Sequence, residues 1–134
     1  MATIFTKIIN GEIPSYKIAE NERFYSFLDI RPISKGHTLV VPKQETDYLF
    51  DLPDQELADL VVFAKSVVKS MDRALKPIRT GIIVEGLEVP HAHVHLVPMY
   101  DEKQKVALGE NIEVSEEEMK RIAEKISQEW EASA

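Results

Sequence analysis

The chain has no cysteine, which excludes disulfides, thiolate metal sites and a thiol nucleophile and gives no sign of an oxidising compartment. Nor does any apolar run approach the ~18 residues that a membrane-spanning helix needs. The N-terminal stretch Met1-Ala2-Thr3-Ile4-Phe5-Thr6-Lys7 lacks the basic-then-apolar layout of a secretory leader. A cytoplasmic protein without a membrane partner is therefore expected. Positive charge is scarce as well. Sixteen Lys and Arg against 23 Asp and Glu leave a net charge of -7, which argues against a broad surface for nucleic acid or anionic lipid but leaves room for a local site for one small anion. Internal repeats, low-complexity stretches and interdomain linkers are absent too. What remains, 134 residues of which 44% are hydrophobic, suits one domain over 1–134 that buries roughly two thirds of its unfolded surface.

Hydrophobic periodicity divides this domain. Residues 3–9 are apolar enough for a short helix or covering segment, stopped by Asn10-Gly11 and Pro14. Branched and aromatic residues predict strands over Tyr16–Ile18, Phe24–Leu28 and His37–Val41, joined by polar and Pro- or Gly-containing connections. Between Asp51 and Lys76 the period changes from two to 3.6. Leu57, Leu60, Val61, Ala64, Val68, Met71 and Leu75 form one helical stripe between Pro53 and Pro77, with Val62, Phe63 and Val67 as extra apolar surface beside it. A strand over Gly81–Val84, a short connection and a strand over the histidine-rich stretch before Pro98 follow as a possible hairpin. Residues 101–113 are polar and irregular. Ser115-Glu116-Glu117-Glu118 then reads as a capping box ahead of a C-terminal helix carrying Met119, Ile122, Ala123, Ile126 and Trp130. Its acidic face, with eight Asp or Glu against three Lys or Arg over residues 110–134, reads as a solvated surface. The pattern is α+β: an antiparallel sheet of about five strands, one long central helix and a C-terminal helix.

Three of the four histidines alternate in Pro90-His91-Ala92-His93-Val94-His95-Leu96-Val97-Pro98. In a strand, alternate residues share a face, so His91, His93 and His95 would line one side while Ala92, Val94 and Leu96 face the core. His91 and His95 would then stand about 13 Å apart, too far for all three to grip one atom, which leaves His93 at the centre. His37 opens another strand and is able to reach the same face. Three chemistries suit the pattern. The rings are hydrogen-bonded structural groups, or His91, His93 and His37 or a carboxylate bind zinc, or one imidazole attacks a phosphate while the others hold its oxygens.

The stretch His91–Val97 resembles the His-φ-His-φ-His-φ-φ signature (φ apolar) of the histidine triad (HIT) nucleotide hydrolases and transferases. Ile4–Pro14, Phe27–Pro32 and Gly36–Lys43 resemble the N-terminal half of that family in the same order. The likeness covers about residues 3–100, with 101–134 as a C-terminal loop and helix. It implies a HIT-like fold and a single HIT domain over 1–134. It also implies hydrolysis of a phosphoramidate or phosphoanhydride bond at the α-phosphorus of a purine nucleotide, through a nucleotidyl-histidine intermediate on His93. His37, His91 and His95 match supporting histidines, Asp29 the acid that accepts ribose hydroxyls, and Phe5, Ile8, Phe27 and Ile30 apolar positions around the base. A homodimer, no cofactor and no nucleic-acid partner are further implications.

Two departures from the family pattern stand out. Many relatives carry two N-terminal cysteines of a structural zinc site, where this chain has Thr3 and Thr6, so no metal is expected. The loop before the triad, Glu85-Gly86-Leu87-Glu88-Val89-Pro90, is short, and Glu88 stands where relatives place a hydroxyl residue that contacts phosphate. A non-catalytic nucleotide-binding regulatory module and a histidine-ligated metalloprotein are the competing readings.

Overall fold

The computed structural model describes residues 2–104 and 106–133, so Met1, Lys105 and Ala134 of the expected span lie outside the described residues. Helix α1 (Ile4–Ile9) begins at Thr3, whose Oγ1 accepts the Thr6 N–H at 3.2 Å. Strands β1 (Lys17–Glu20) and β2 (Phe24–Leu28) form a hairpin, and its turn is closed by Asn21 Oδ1, which accepts the N–H groups of Arg23 and Phe24. Strand β3 (Thr38–Pro42), a 3-10 turn (Leu49–Asp51) and the long helix α2 (Asp54–Leu75) follow. Then come β4 (Arg79–Ile83), β5 (Val94–Met99) and α3 (Glu116–Ser133). The five strands lie in the order β1-β2-β3-β5-β4, and every neighbouring pair is antiparallel. The expected α+β architecture is realised, and among the described residues no helix is long and apolar enough to cross a membrane.

Strand alternation divides the core in two. Phe24, Leu28, Val40, Val94 and Leu96 point to the face covered by α2 and α3, whereas Tyr25, Phe27, Leu39 and Val41 point to the face covered by Phe5 and Ile8 of α1. Leu39 is the register partner of His95. Since cross-strand partners share a face, the histidines stand on the α1 side.

Two expectations need correction. Phe63 and Val67 are core residues and not surplus surface beside the stripe of α2. The cause is α3, which packs alongside α2, sets Trp130 edge-on to Phe63 at 6.0 Å and donates the Trp130 indole N–H to Ser66 Oγ. The buried face of α2 is thereby widened, and Val61 and Val62 are left exposed on the other flank. The capping box of α3 is half formed: Ser115 Oγ accepts the Glu118 N–H, while the Glu118 carboxylate pairs with Lys35 and Arg121.

Candidate active site

The third correction concerns the histidine stretch. Strand β5 begins only at Val94, so His91 and His93 lie in an irregular approach to it. Pro90 has no N–H for a ladder, and the Ala92 N–H is taken by Thr46 O at 2.6 Å, outside the sheet. The two-sidedness survives this change. Ala92, Val94 and Leu96 enter the main core, while the rings of His93 and His95 sit side by side on the other face with centroids 5.1 Å apart.

His37 arrives from the next strand. It follows Gly36, whose φ of +88° belongs to the left-handed region, and a Cβ there would stand 2.3 Å from the Leu75 side chain. The backbone ties His37 O to the Asp29 N–H at 2.9 Å, which closes the β2–β3 loop and brings Asp29 beside the ring. Asp29 Oδ1 accepts the Arg31 N–H at 2.8 Å, the turn-capping role open to an aspartate before Pro32, while Oδ2 lies 3.5 Å from His37 Nε2.

The partners of each ring nitrogen dictate where the protons are. The Ile33 N–H donates to His37 Nδ1 at 3.1 Å, so neutral His37 carries its proton on Nε2. That proton goes to His95 Nδ1 at 2.9 Å, which places the His95 proton on Nε2. His95 therefore faces the cavity as a donor. His93 is the reverse: Nδ1–H donates to His91 O at 2.7 Å, and among the described residues its Nε2 lone pair has no partner. His91 donates from Nε2 to Pro42 O at 2.7 Å and accepts at Nδ1 from Thr3 Oγ1 at 2.7 Å.

Burial pushes His37 and His95 down to about 4, and for His95 the neighbouring His37 and His93 add to the effect while Asp29 opposes it. Burial also lowers His91, against the bond to the Pro42 carbonyl. Asp29 is pushed above the usual carboxylate value by burial, partly offset by the Arg31 N–H. At neutral pH His37, His91 and His95 are therefore neutral hydrogen-bond donors, not cations.

A cavity of about 350 Å³ opens over these groups, bounded by Phe5, Asp29, His37, Glu88, His93 and His95. The other candidate residues lie elsewhere. His91 is fully buried behind the cavity, Ile8 and Phe27 are packed in the apolar cluster with Phe5, and Ile30 is 75% exposed and borders a different groove, of about 620 Å³, between β1 and α3. That groove is larger but carries none of the histidines. The wall also includes Arg31, Leu39, Leu108 and Asn111, which sequence reasoning missed. Leu39 was findable, because it follows His37 by two residues in a strand.

Among the described residues, the donor atoms that converge closely enough for a metal belong to Asp29, His37 and His95, all within 4.8 Å of one another. The set His91, His93 and His37 does not converge in this way, and both ring nitrogens of His91 are already engaged. At the N-terminal positions, Thr3 and Thr6 offer hydroxyls bonded to His91 and Glu45 in place of thiolates, a donor set that does not fit a structural zinc ion.

Comparison with known proteins places this geometry. Residues 10–102 match the HIT domain. The chain is 40% identical over 109 residues to adenosine 5'-monophosphoramidase HNT1 of Saccharomyces cerevisiae, covering 81% of this chain and 69% of that protein. It is 35% identical over 133 residues to the Schizosaccharomyces pombe adenosine 5'-monophosphoramidase, covering 95% and 97%. The crystal structure of a zinc-bound histidine triad family protein from Mycobacterium smegmatis superposes with a TM-score of 0.85 at 25% identity, covering 99% and 96%. With the domain matched over most of its length and His37, His93 and His95 lining one cavity, this chain belongs to the histidine triad family.

Proposed function

We propose that the protein hydrolyses a phosphoramidate or phosphoanhydride bond at the α-phosphorus of a purine nucleotide, with His93 as the nucleophile. One observation carries this reading. His93 is 6% exposed, its Nδ1 proton is committed to a carbonyl, and its bare Nε2 is free beside a donor nitrogen of His95. The likeness to two adenosine 5'-monophosphoramidases supports a nucleotide substrate and an amine leaving group. In the first step the Nε2 lone pair forms a bond to phosphorus as the bond from phosphorus to the leaving nitrogen or oxygen breaks, and the departing group takes a proton from solvent. Water then attacks phosphorus and gives up its proton to solvent, the phosphorus–His93 bond breaks with its electron pair returning to Nε2, and the nucleoside monophosphate leaves. His95 Nε2–H donates to a non-bridging oxygen in both steps. Asp29 accepts ribose hydroxyls, and Phe5 walls the base. Glu88 borders the phosphate end of the cavity, and His37 and His91 act through His95 and His93. The route uses no metal, and chelator should leave turnover unchanged.

The test is a turnover panel of adenosine phosphoramidates, dinucleoside polyphosphates and guanosine analogues, followed by rapid quench. An acid-labile nucleotide adduct on the His93 peptide is expected with a slowly hydrolysed substrate. His93→Ala should lose several orders of magnitude in kcat while nucleotide binding changes little, and His95→Ala roughly 10²- to 10³-fold. Turnover by His93→Ala near the wild-type rate, with no adduct, would overturn His93 as the nucleophile, whereas nucleotide binding by the wild type with no turnover of any substrate in the panel would leave a nucleotide-binding module in place of an enzyme.

A further inference from the structure

Thr3 and Thr6 bracket Phe5 at the start of α1, and both hydroxyls are spoken for. Thr3 Oγ1–H donates to His91 Nδ1 at 2.7 Å, the Thr3 N–H donates to Glu45 Oε1 at 2.9 Å, and Thr6 Oγ1–H donates to the same carboxylate oxygen. Glu45 lies in the segment just after β3, and the next residue, Thr46, gives its carbonyl to the Ala92 N–H. Residues 45 and 46 therefore hold the N-terminal helix with one hand and the histidine segment with the other. We infer that Thr3, Thr6 and Glu45 form a metal-free positioning clasp, which sets the aim and tautomer of His93 by fixing His91.

The argument follows the hydrogen-bond chain. His91 is 0% exposed, and its Nε2 must donate because Pro42 O has no proton to give. Nδ1 then needs a donor, and Thr3 Oγ1 supplies it. A buried nitrogen without a partner pays its full desolvation cost, so the ring would turn to find another. The backbone of His91 moves with the ring, and its carbonyl is the group that accepts the His93 Nδ1–H. Phe5 makes a second link, since its ring stands edge-on to His93 at 5.0 Å and to His91 at 5.7 Å. Glu45 gives the clasp its direction. The Thr6 hydroxyl and the Thr3 N–H hold its carboxyl below the usual range, so it stays an anion that draws the Thr6 proton and leaves the Thr3 proton to His91.

This inference rests on His93 as the nucleophile proposed above, and the test separates the two. Thr3→Val keeps the shape and removes the hydroxyl, Thr3→Ser restores it, and Glu45→Ala loosens the clasp at an exposed position. Two readouts are taken: kcat and KM on an adenosine phosphoramidate, and the nitrogen-15 shifts of the His93 ring in the unliganded protein. Thr3→Val should lower kcat about tenfold, the loss expected for one misplaced hydrogen bond, with KM changed less than about twofold. The His93 shifts should move from the Nδ1–H tautomer to a mixture, Thr3→Ser should restore both readouts, and Glu45→Ala should fall between. Wild-type kcat with unchanged shifts in Thr3→Val overturns the clasp, as does a Thr3→Ser variant no better than Thr3→Val. If Thr3→Val does not fold, Glu45→Ala with wild-type kcat and unchanged shifts overturns it equally. Turnover that survives His93→Ala instead overturns the nucleophile, while the ring shifts still decide the clasp.

Discussion

Acidification should destabilise this protein through His37 and His95 well before its carboxylates protonate. Both rings sit at about 4 in the folded state against the ordinary 6.5. Between those values the unfolded chain binds more protons, so the stability these groups contribute is present above about pH 6.5 and is lost as pH falls toward about 4. For one group, moving from about pH 7 to about pH 5 costs roughly 2 kcal/mol by this linkage, and the hydrogen-bonded pair roughly 2 to 4. Both are nearly fully buried, so solvent screening does not reduce the figure. His91 acts in the same direction, and Asp29, whose carboxyl is raised, acts against it. Urea unfolding at the two pH values measures the change, and His95→Asn isolates it. The variant should lose about 2 kcal/mol less than wild type on acidification. Equal losses in wild type and variant, or a His95 proton titrating near its ordinary value by NMR, would refute the reasoning.

The remaining expectations concern sugar and assembly. Asp29→Ala should weaken ribonucleotides more than 2'-deoxynucleotides by about 1 to 3 kcal/mol, the worth of a charge-assisted hydrogen bond. Equal losses for both sugars, measured by calorimetry, would assign Asp29 to the Arg31 turn alone. A homodimer is expected because β4 ends the sheet with Ile78 and Ile82 exposed beside it, and Val61 and Val62 add an uncovered flank on α2. A monomer by light scattering at micromolar concentration would reject that expectation.

Sequence made the elements legible wherever a period was strong. The 3.6-residue stripe marked α2, and branched runs marked β2 and β3 to within a residue or two. Their assembly was harder to read, because the docking of β5 against β3 joins segments far apart in the chain and leaves no local signature. Phe63 and Val67 were misplaced for the same reason, since the helix that covers them lies some fifty residues on or more. At the site, the alternating histidines announced themselves, while Leu108 and Asn111 come from an irregular stretch with no period, docked by the Ile112 N–H on Pro32 O. Ile30 stands outside the cavity wall because the chain turns at Asp29, just past β2, and strand alternation stops there.

The hydrogen bond from the Ile33 amide to His37 has a consequence for the fate of the proposed intermediate. A backbone N–H cannot reverse, so the protons of His37 and His95 all point one way, toward the cavity. His95 can give a proton but has no bare nitrogen with which to take one from an incoming molecule. His93 has such a nitrogen, yet in the intermediate that nitrogen is the one bonded to phosphorus. Water thus enters a chamber whose imidazoles offer it no base. A neutral amine is the stronger nucleophile of the two and depends less on such a base. On the proposed route, the partition of the intermediate between hydrolysis and transfer would be governed by which nucleophiles reach the cavity, and release of the first product before another amine arrives would commit the nucleotide to water.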